Sequence, residues 1–192
     1  MIRALYDWTL RLAEHPRALW ALAIVAFIES SVFPIPPDVL MIPMILAAPR
    51  RAFVIAAVAT VSSVLGGAFG YWIGSALFDT VGLPVLEFYG KTGNFEVFSQ
   101  TYNEWGAWAV LIAGVTPFPY KVVTILSGST GLNLTVFLIA SVVARGLRFF
   151  IVAGLLWKFG APIRDFIEKR LGAVFTVFIV LLVGGFVVLG YL

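Results

Sequence analysis

Phe33-Pro34-Ile35-Pro36-Pro37-Asp38 and Thr116-Pro117-Phe118-Pro119-Tyr120-Lys121 each interrupt a stretch that otherwise reads as a membrane helix. Three prolines in four residues cannot continue an α-helix, because each removes a backbone donor and its ring clashes with the preceding turn. Irregular backbone at membrane depth is tolerated only where protein or a water-filled cavity surrounds it. Each break is followed by a charged residue, Asp38 or Lys121, so the pair reads as a site rather than a packing accident.

Outward from the first break, Trp20–Phe33 and Val39–Ala48 are apolar apart from Glu29 and two serines. Neither reaches the roughly 20 residues needed to cross a bilayer. Together, over residues 18–48, they read as a re-entrant hairpin with the prolines Pro34, Pro36 and Pro37 near its tip. Arg50 and Arg51 then precede a helix over 52–78 that is long enough to span. Gly66, Gly70 and Gly74 recur on one face of it, where another helix can approach closely. That stripe suits contacts within one chain or between two, so the number of copies stays open and a homo-oligomer is one outcome.

The same order then returns. Residues 79–104 are the most polar part of the chain, with short interfacial helices expected around Val85–Phe88 and Phe95–Tyr102. A second hairpin over 105–131, with Pro117 and Pro119 at its tip, precedes a second spanning helix over 132–157. Pro34-Ile35-Pro36 aligns with Pro117-Phe118-Pro119 at an offset of 83 residues. Residues 1–14 read as an amphipathic helix in the headgroup region. Residues 158–192 add a basic linker and a final spanning helix. The expectation is an all-α integral membrane protein of one domain, residues 1–192. It would consist of an inverted repeat, 1–78 and 79–157, each half a re-entrant hairpin plus a transmembrane helix, with interfacial amphipathic helices. Inverted repeats with discontinuous helices are a transporter signature.

Composition agrees. The chain is 61% hydrophobic and only 12% charged, against about 25% charged in soluble domains. It contains no cysteine, and His15 is its one histidine. Thiolate metal sites, histidine metal sites and histidine-based triads therefore lack material. Serines and threonines are common, but no group that would activate one as a nucleophile is evident. No enzyme activity, metal, cofactor or nucleic-acid partner is expected. The opening residues do not read as a cleaved signal peptide, since Asp7 and Glu14 interrupt them.

Charge sorts the connections. The N-terminal segment, Arg50/Arg51 and the 158–170 linker are net positive, while 79–104 carries Asp79, Glu87, Glu96 and Glu104 against Lys91. If both hairpins return to their side of entry, every net-positive connection faces the cytoplasm, the N-terminus included, and the net-negative one faces away. The hairpins would then enter from opposite faces and their tips could meet near the midplane.

Five charged residues remain in apolar surroundings: Glu29, Asp38, Lys121, Arg145 and Arg148. Charges at that depth need partners or a polar cavity. Glu29 lies inside a helical arm, where capping is unattractive, so it reads as a proton-binding or coupling group. Asp38 shares that reading, with helix capping as its alternative. Arg145 and Arg148 lie three apart on one helix face. They read either as counterions for the acids or, with Lys121, as a site for an anionic headgroup, since arginine offers a bidentate fork to phosphate oxygens.

These residues resemble a known family. Glu29-Ser30-Ser31-Val32-Phe33-Pro34-Ile35-Pro36-Pro37-Asp38, the glycine-rich Gly66-Gly67-Ala68-Phe69-Gly70-Tyr71-Trp72-Ile73-Gly74, and Thr116-Pro117-Phe118-Pro119-Tyr120-Lys121 resemble the DedA family of SNARE-associated or VTT-domain membrane proteins, and within it the YqaA-like branch. The resemblance covers roughly residues 15–160 and implies a multi-pass bacterial inner-membrane protein with two re-entrant hairpins. It also implies lipid handling: eukaryotic relatives are phospholipid scramblases, and bacterial members are implicated in proton-dependent movement of undecaprenyl phosphate or phospholipids. The family's important acids fall on Glu29 and Asp38. Its usual Arg-Phe-x-Pro-x-x-Arg pattern is lost at the second break, where Gly114-Val115 precede it and Lys121 is the nearest cation after it; Arg145 and Arg148 are candidates to supply the missing charge. The reading is a flippase or scramblase for a phosphate-bearing lipid, with membrane lipids and protons as partners. The alternative is a proton- or ion-coupled transporter of a small soluble anion.

Overall fold

The computed structural model describes residues 17–32, 36–90, 92–116, 118–160 and 162, and all regular structure among them is helical. Helix α1, Ala18–Ser31, stops ahead of the first break. Helix α2, Asp38–Ala47, starts on Pro37, whose fixed φ suits a helix entry and whose carbonyl receives the Met41 N–H at 2.9 Å. Pro43 lies inside α2 without ending it. After a tight turn at Pro49–Arg51, α3 runs over Ala52–Leu77 and continues through a π-helical turn, Phe78–Gly82, into α4, Leu83–Phe88. Gly90, with φ 62°, ends that run in the left-handed conformation glycine adopts most readily.

Helix α5 covers Thr92–Val115 and α6 covers Tyr120–Ser129, one on each side of the second break. Gly131 at φ 67° turns the chain, and the Asn133 side chain accepts the Thr135 and Val136 N–H groups to cap α7, Leu134–Gly160. The 83-residue offset carries Asp38, the first residue of α2, onto Lys121 in the first turn of α6, and Leu77, the end of α3, onto Gly160, the end of α7. After each break a 10-residue helix and then a long helix follow in the same order, whereas the helices ahead of the breaks differ, 14 residues in α1 and 24 in α5.

One boundary departs from the sequence reading. The polar stretch around Phe95–Tyr102 and the apolar arm from Trp105 form one 24-residue helix, α5. Polarity changes along it, but no proline or unsatisfied turn interrupts the backbone hydrogen bonds, and a change of solvent does not break a helix. The second long helix also runs three residues past Trp157. The segment 1–14, the tip residues Pro34 and Pro117, most of the 158–170 linker and the helix expected over 171–192 lie outside the described residues.

Among the described residues, two runs are long and apolar enough to cross a membrane: Pro49–Phe88 and Leu134–Gly160. Helix α3 is the central post, with α1 and α6 packed against it. Its glycines make this possible: at Gly66 a Cβ would strike the backbone of Phe27 in α1, and at Gly74 that of Ile125 in α6. Gly128 of α6 meets the Tyr71 backbone in return. One apolar cluster joins Leu22, Met41, Ile45, Ile55, Ala59, Phe149 and Ala153 from α1, α2, α3 and α7. A second joins Val110, Tyr120, Val123, Phe137 and Ala140 from α5, α6 and α7. The outer faces are apolar as well, with Trp20, Ile24, Val61, Leu65, Trp72, Ile139, Leu147 and Phe150 exposed. A water-facing surface does not carry apolar patches on this scale, so these faces suit lipid.

Candidate functional site

Between the two apolar clusters lies a polar layer, centred on α7 and the ends of α1 and α6. Arg145 is its anchor. Its Nη2 donates to Glu29 Oε2 of α1 at 2.8 Å, and its Nε donates to Ser63 Oγ of α3 at 2.6 Å. The Tyr120 and Phe149 rings lie 4.8 and 4.6 Å from the guanidinium carbon, within cation–π range. Only 2% of this arginine is exposed, and 15% of Glu29. Nearby, Ser30 Oγ lies 2.7 Å from Ser63 Oγ and donates to Glu29 Oε2 at 3.1 Å, while Tyr120 donates to Ser141 Oγ at 2.5 Å.

One helical turn on, Arg148 joins the two breaks. Its Nη2 donates to Asp38 Oδ2 at 2.7 Å, and its Nη1 donates to the Thr116 carbonyl at 2.9 Å. Thr116 precedes the second break and Asp38 follows the first. Asp38 opens α2, where its negative charge also suits the helix dipole. This pair is more open than the first: 23% of Arg148 and 20% of Asp38 are exposed. From α6, Lys121 Nζ donates to the Val32 carbonyl at 3.2 Å, and Thr124 donates to the Ser30 carbonyl at 3.1 Å. The C-terminal carbonyls of α1 are thus satisfied by side chains that follow the second break, which answers the orphan acceptors of a helix end.

All five charged residues singled out in the sequence meet in this layer. The geometry divides them: Arg145 and Glu29 are sealed between helices, whereas Arg148, Asp38 and Lys121 ring the junction of the breaks. Pro36 and Pro37 lead into α2, and Pro119 leads into α6, its carbonyl receiving the Val122 N–H at 3.1 Å. Sequence reasoning passed over Ser30, Ser63, Tyr120, Thr124 and Ser141, which complete the network. Among the described residues, no group of three histidine or acidic side chains is placed to hold a metal.

The VTT domain profile matches residues 35–158, which takes in Asp38, Lys121, Arg145 and Arg148 and leaves Glu29 just ahead. An uncharacterized protein of Haemophilus influenzae is 37% identical over 168 residues, covering 85% of this chain and 87% of its own length. An uncharacterized homologue from Histophilus somni is 38% identical over the same span and shares of each chain. No solved structure matches the chain.

Proposed function

The chain belongs to the VTT-domain, or DedA, family of membrane proteins, and on that premise we propose that it translocates or scrambles a phosphate-bearing lipid, either a phospholipid or undecaprenyl phosphate, across the bacterial inner membrane with proton dependence. The observation that carries this reading is the partly exposed Arg148–Asp38 pair at the junction of the breaks, which Lys121 also bridges through the Val32 carbonyl. A phosphate group matches the arginine fork as well as the carboxylate does, so it can take over Arg148 as Asp38 lets go. Helices α2 and α6 both begin at this junction, and the positive ends of their dipoles favour an anion.

In the same reading, the segments around the breaks are re-entrant hairpins inserted from opposite faces, and the N-terminus is cytoplasmic. Protonation of the acids releases the cations to the headgroup, and the apolar outer faces let its tails stay in lipid. The test is reconstitution into liposomes with labelled phospholipid or undecaprenyl phosphate, scoring flip rate at several pH values. Wild type accelerates flipping of at least one lipid, and Glu29→Gln and Arg148→Ala abolish the acceleration while keeping the fold. A folded wild type that moves neither lipid and instead carries a small anion overturns the reading in favour of a soluble-anion transporter.

A further inference from the structure

Two routes lead from Arg145 to Glu29, and both end on the same oxygen. One is the direct bond from Nη2 to Oε2. The other runs from Nε to Ser63 Oγ, on to Ser30 Oγ and so to Oε2. The direction of the second route follows from the proton inventory. A hydroxyl has one proton to donate. Ser30 donates its proton to the carboxylate, so it must accept from Ser63; Ser63 gives its proton to Ser30 and accepts from the arginine. Every bond in the circuit therefore points the same way, from guanidinium to carboxylate, across α7, α3 and α1.

Such a circuit responds to charge. An ionised Glu29 draws on both routes at once. Neutralised, it loses its ion pair with Arg145, and its bond from Ser30 becomes a neutral one of roughly half the strength. The guanidinium of Arg145 keeps its charge and is left beside that of Arg148, one helical turn along α7. Among the described residues, the other charged or titratable groups that face this pair are Asp38 from α2 and Tyr120 from α6, with Tyr102 of α5 behind Tyr120 and Lys121 of α6 on the Val32 carbonyl; α3 contributes the Ser63 hydroxyl.

We propose that Ser30 and Ser63 are positioning residues, whose one-way hydrogen-bond circuit makes the hold on Arg145 depend on the charge of Glu29, so that neutral Glu29 frees the arginine fork for an anionic phosphate group. The inference rests on the lipid-phosphate reading above for its occupant, but not for the circuit itself. Ser63 would act through Arg145 and touch no substrate.

The test labels arginines of the full-length protein in detergent with phenylglyoxal and reads Arg145 by mass spectrometry, with the more open Arg148 as the internal reference. Wild-type Arg145 is protected. Ser63→Ala raises its labelling several-fold, Ser63→Thr, which keeps the hydroxyl, restores protection, and Ser63→Ala combined with Glu29→Gln labels no faster than Glu29→Gln alone. Labelling that stays at the wild-type level in Ser63→Ala, or effects of the two substitutions that multiply, overturns the proposal. Should Ser63→Ala not fold, Ser30→Ala cuts the same circuit one bond further on and gives a smaller rise; no rise there overturns it equally. In liposomes, Ser63→Ala flattens the dependence of flip rate on pH and Ser63→Thr restores it. A rate lowered by one factor at every pH assigns the serines to the scaffold alone and overturns the proposal. A wild type that moves no phosphate lipid sinks the function, while the labelling still decides the circuit.

Discussion

Arg145 and Arg148 are one turn apart and chemically alike, yet their surroundings give them different costs of removal. Arg145 is sealed, so Arg145→Ala strands Glu29 and is expected to lower stability by about 3–5 kcal/mol. Arg148 is part-open to solvent or headgroups, and Arg148→Ala is expected to cost about 1 kcal/mol or less, with flipping lost. Thermal melting of the two purified variants checks the contrast; equal losses would refute it. At this scale the sequence was legible for charge and opaque for hydroxyls. Glu29 and the arginines stand out because charge in an apolar segment has few explanations. Ser30 and Ser31 look the same on paper, but Ser31 bonds back to the Phe27 and Ile28 carbonyls of its own helix, as serines in apolar helices commonly do. Which of the two faces α3 is settled by packing alone.

Among the elements, α3 positions the others, and its glycines can be tested singly. Gly66→Ala would drive a methyl group into the Phe27 backbone, which cannot swing aside as a side chain can. The expected loss is about 1–3 kcal/mol, read as a lowered melting temperature. Gly154→Ala is the control: its added carbon meets nothing within 4 Å, and the melting temperature should stay level or rise slightly. If both variants melt alike, close packing of α1 on α3 is not what the stripe provides. The breaks and the two long helices were legible because proline and long apolar runs act locally. The unity of α5 was not, because its change from polar to apolar tracks its surroundings while its backbone continues unbroken. The contacts of the two breaks with one another were also beyond sequence reading, since Lys121 and Val32 are joined by tertiary packing across 89 residues.

For the whole molecule, topology is the decisive measurement. Single cysteines placed at Arg17, Arg50, Lys91 and Arg164 in this cysteine-free chain and labelled in intact cells should report Lys91 outside and the other three inside. Arg17 and Arg50 labelling from opposite sides would refute the re-entrant arrangement. Charge made this proposal readable in the sequence, but helix packing alone does not orient a protein in a bilayer. The length of α3 adds a demand of its own. Its 26 residues extend about 39 Å at 1.5 Å each, while a hydrocarbon layer is about 30 Å thick. Set across that layer, the helix must lean by roughly 40° or force the leaflets to thicken around it. Because its glycines clasp α1 and α6 backbone to backbone, neither helix can stay upright while α3 leans. Acyl-chain length would therefore act as a control on this protein, tilting the whole charged junction through a rigid lever rather than through any headgroup contact.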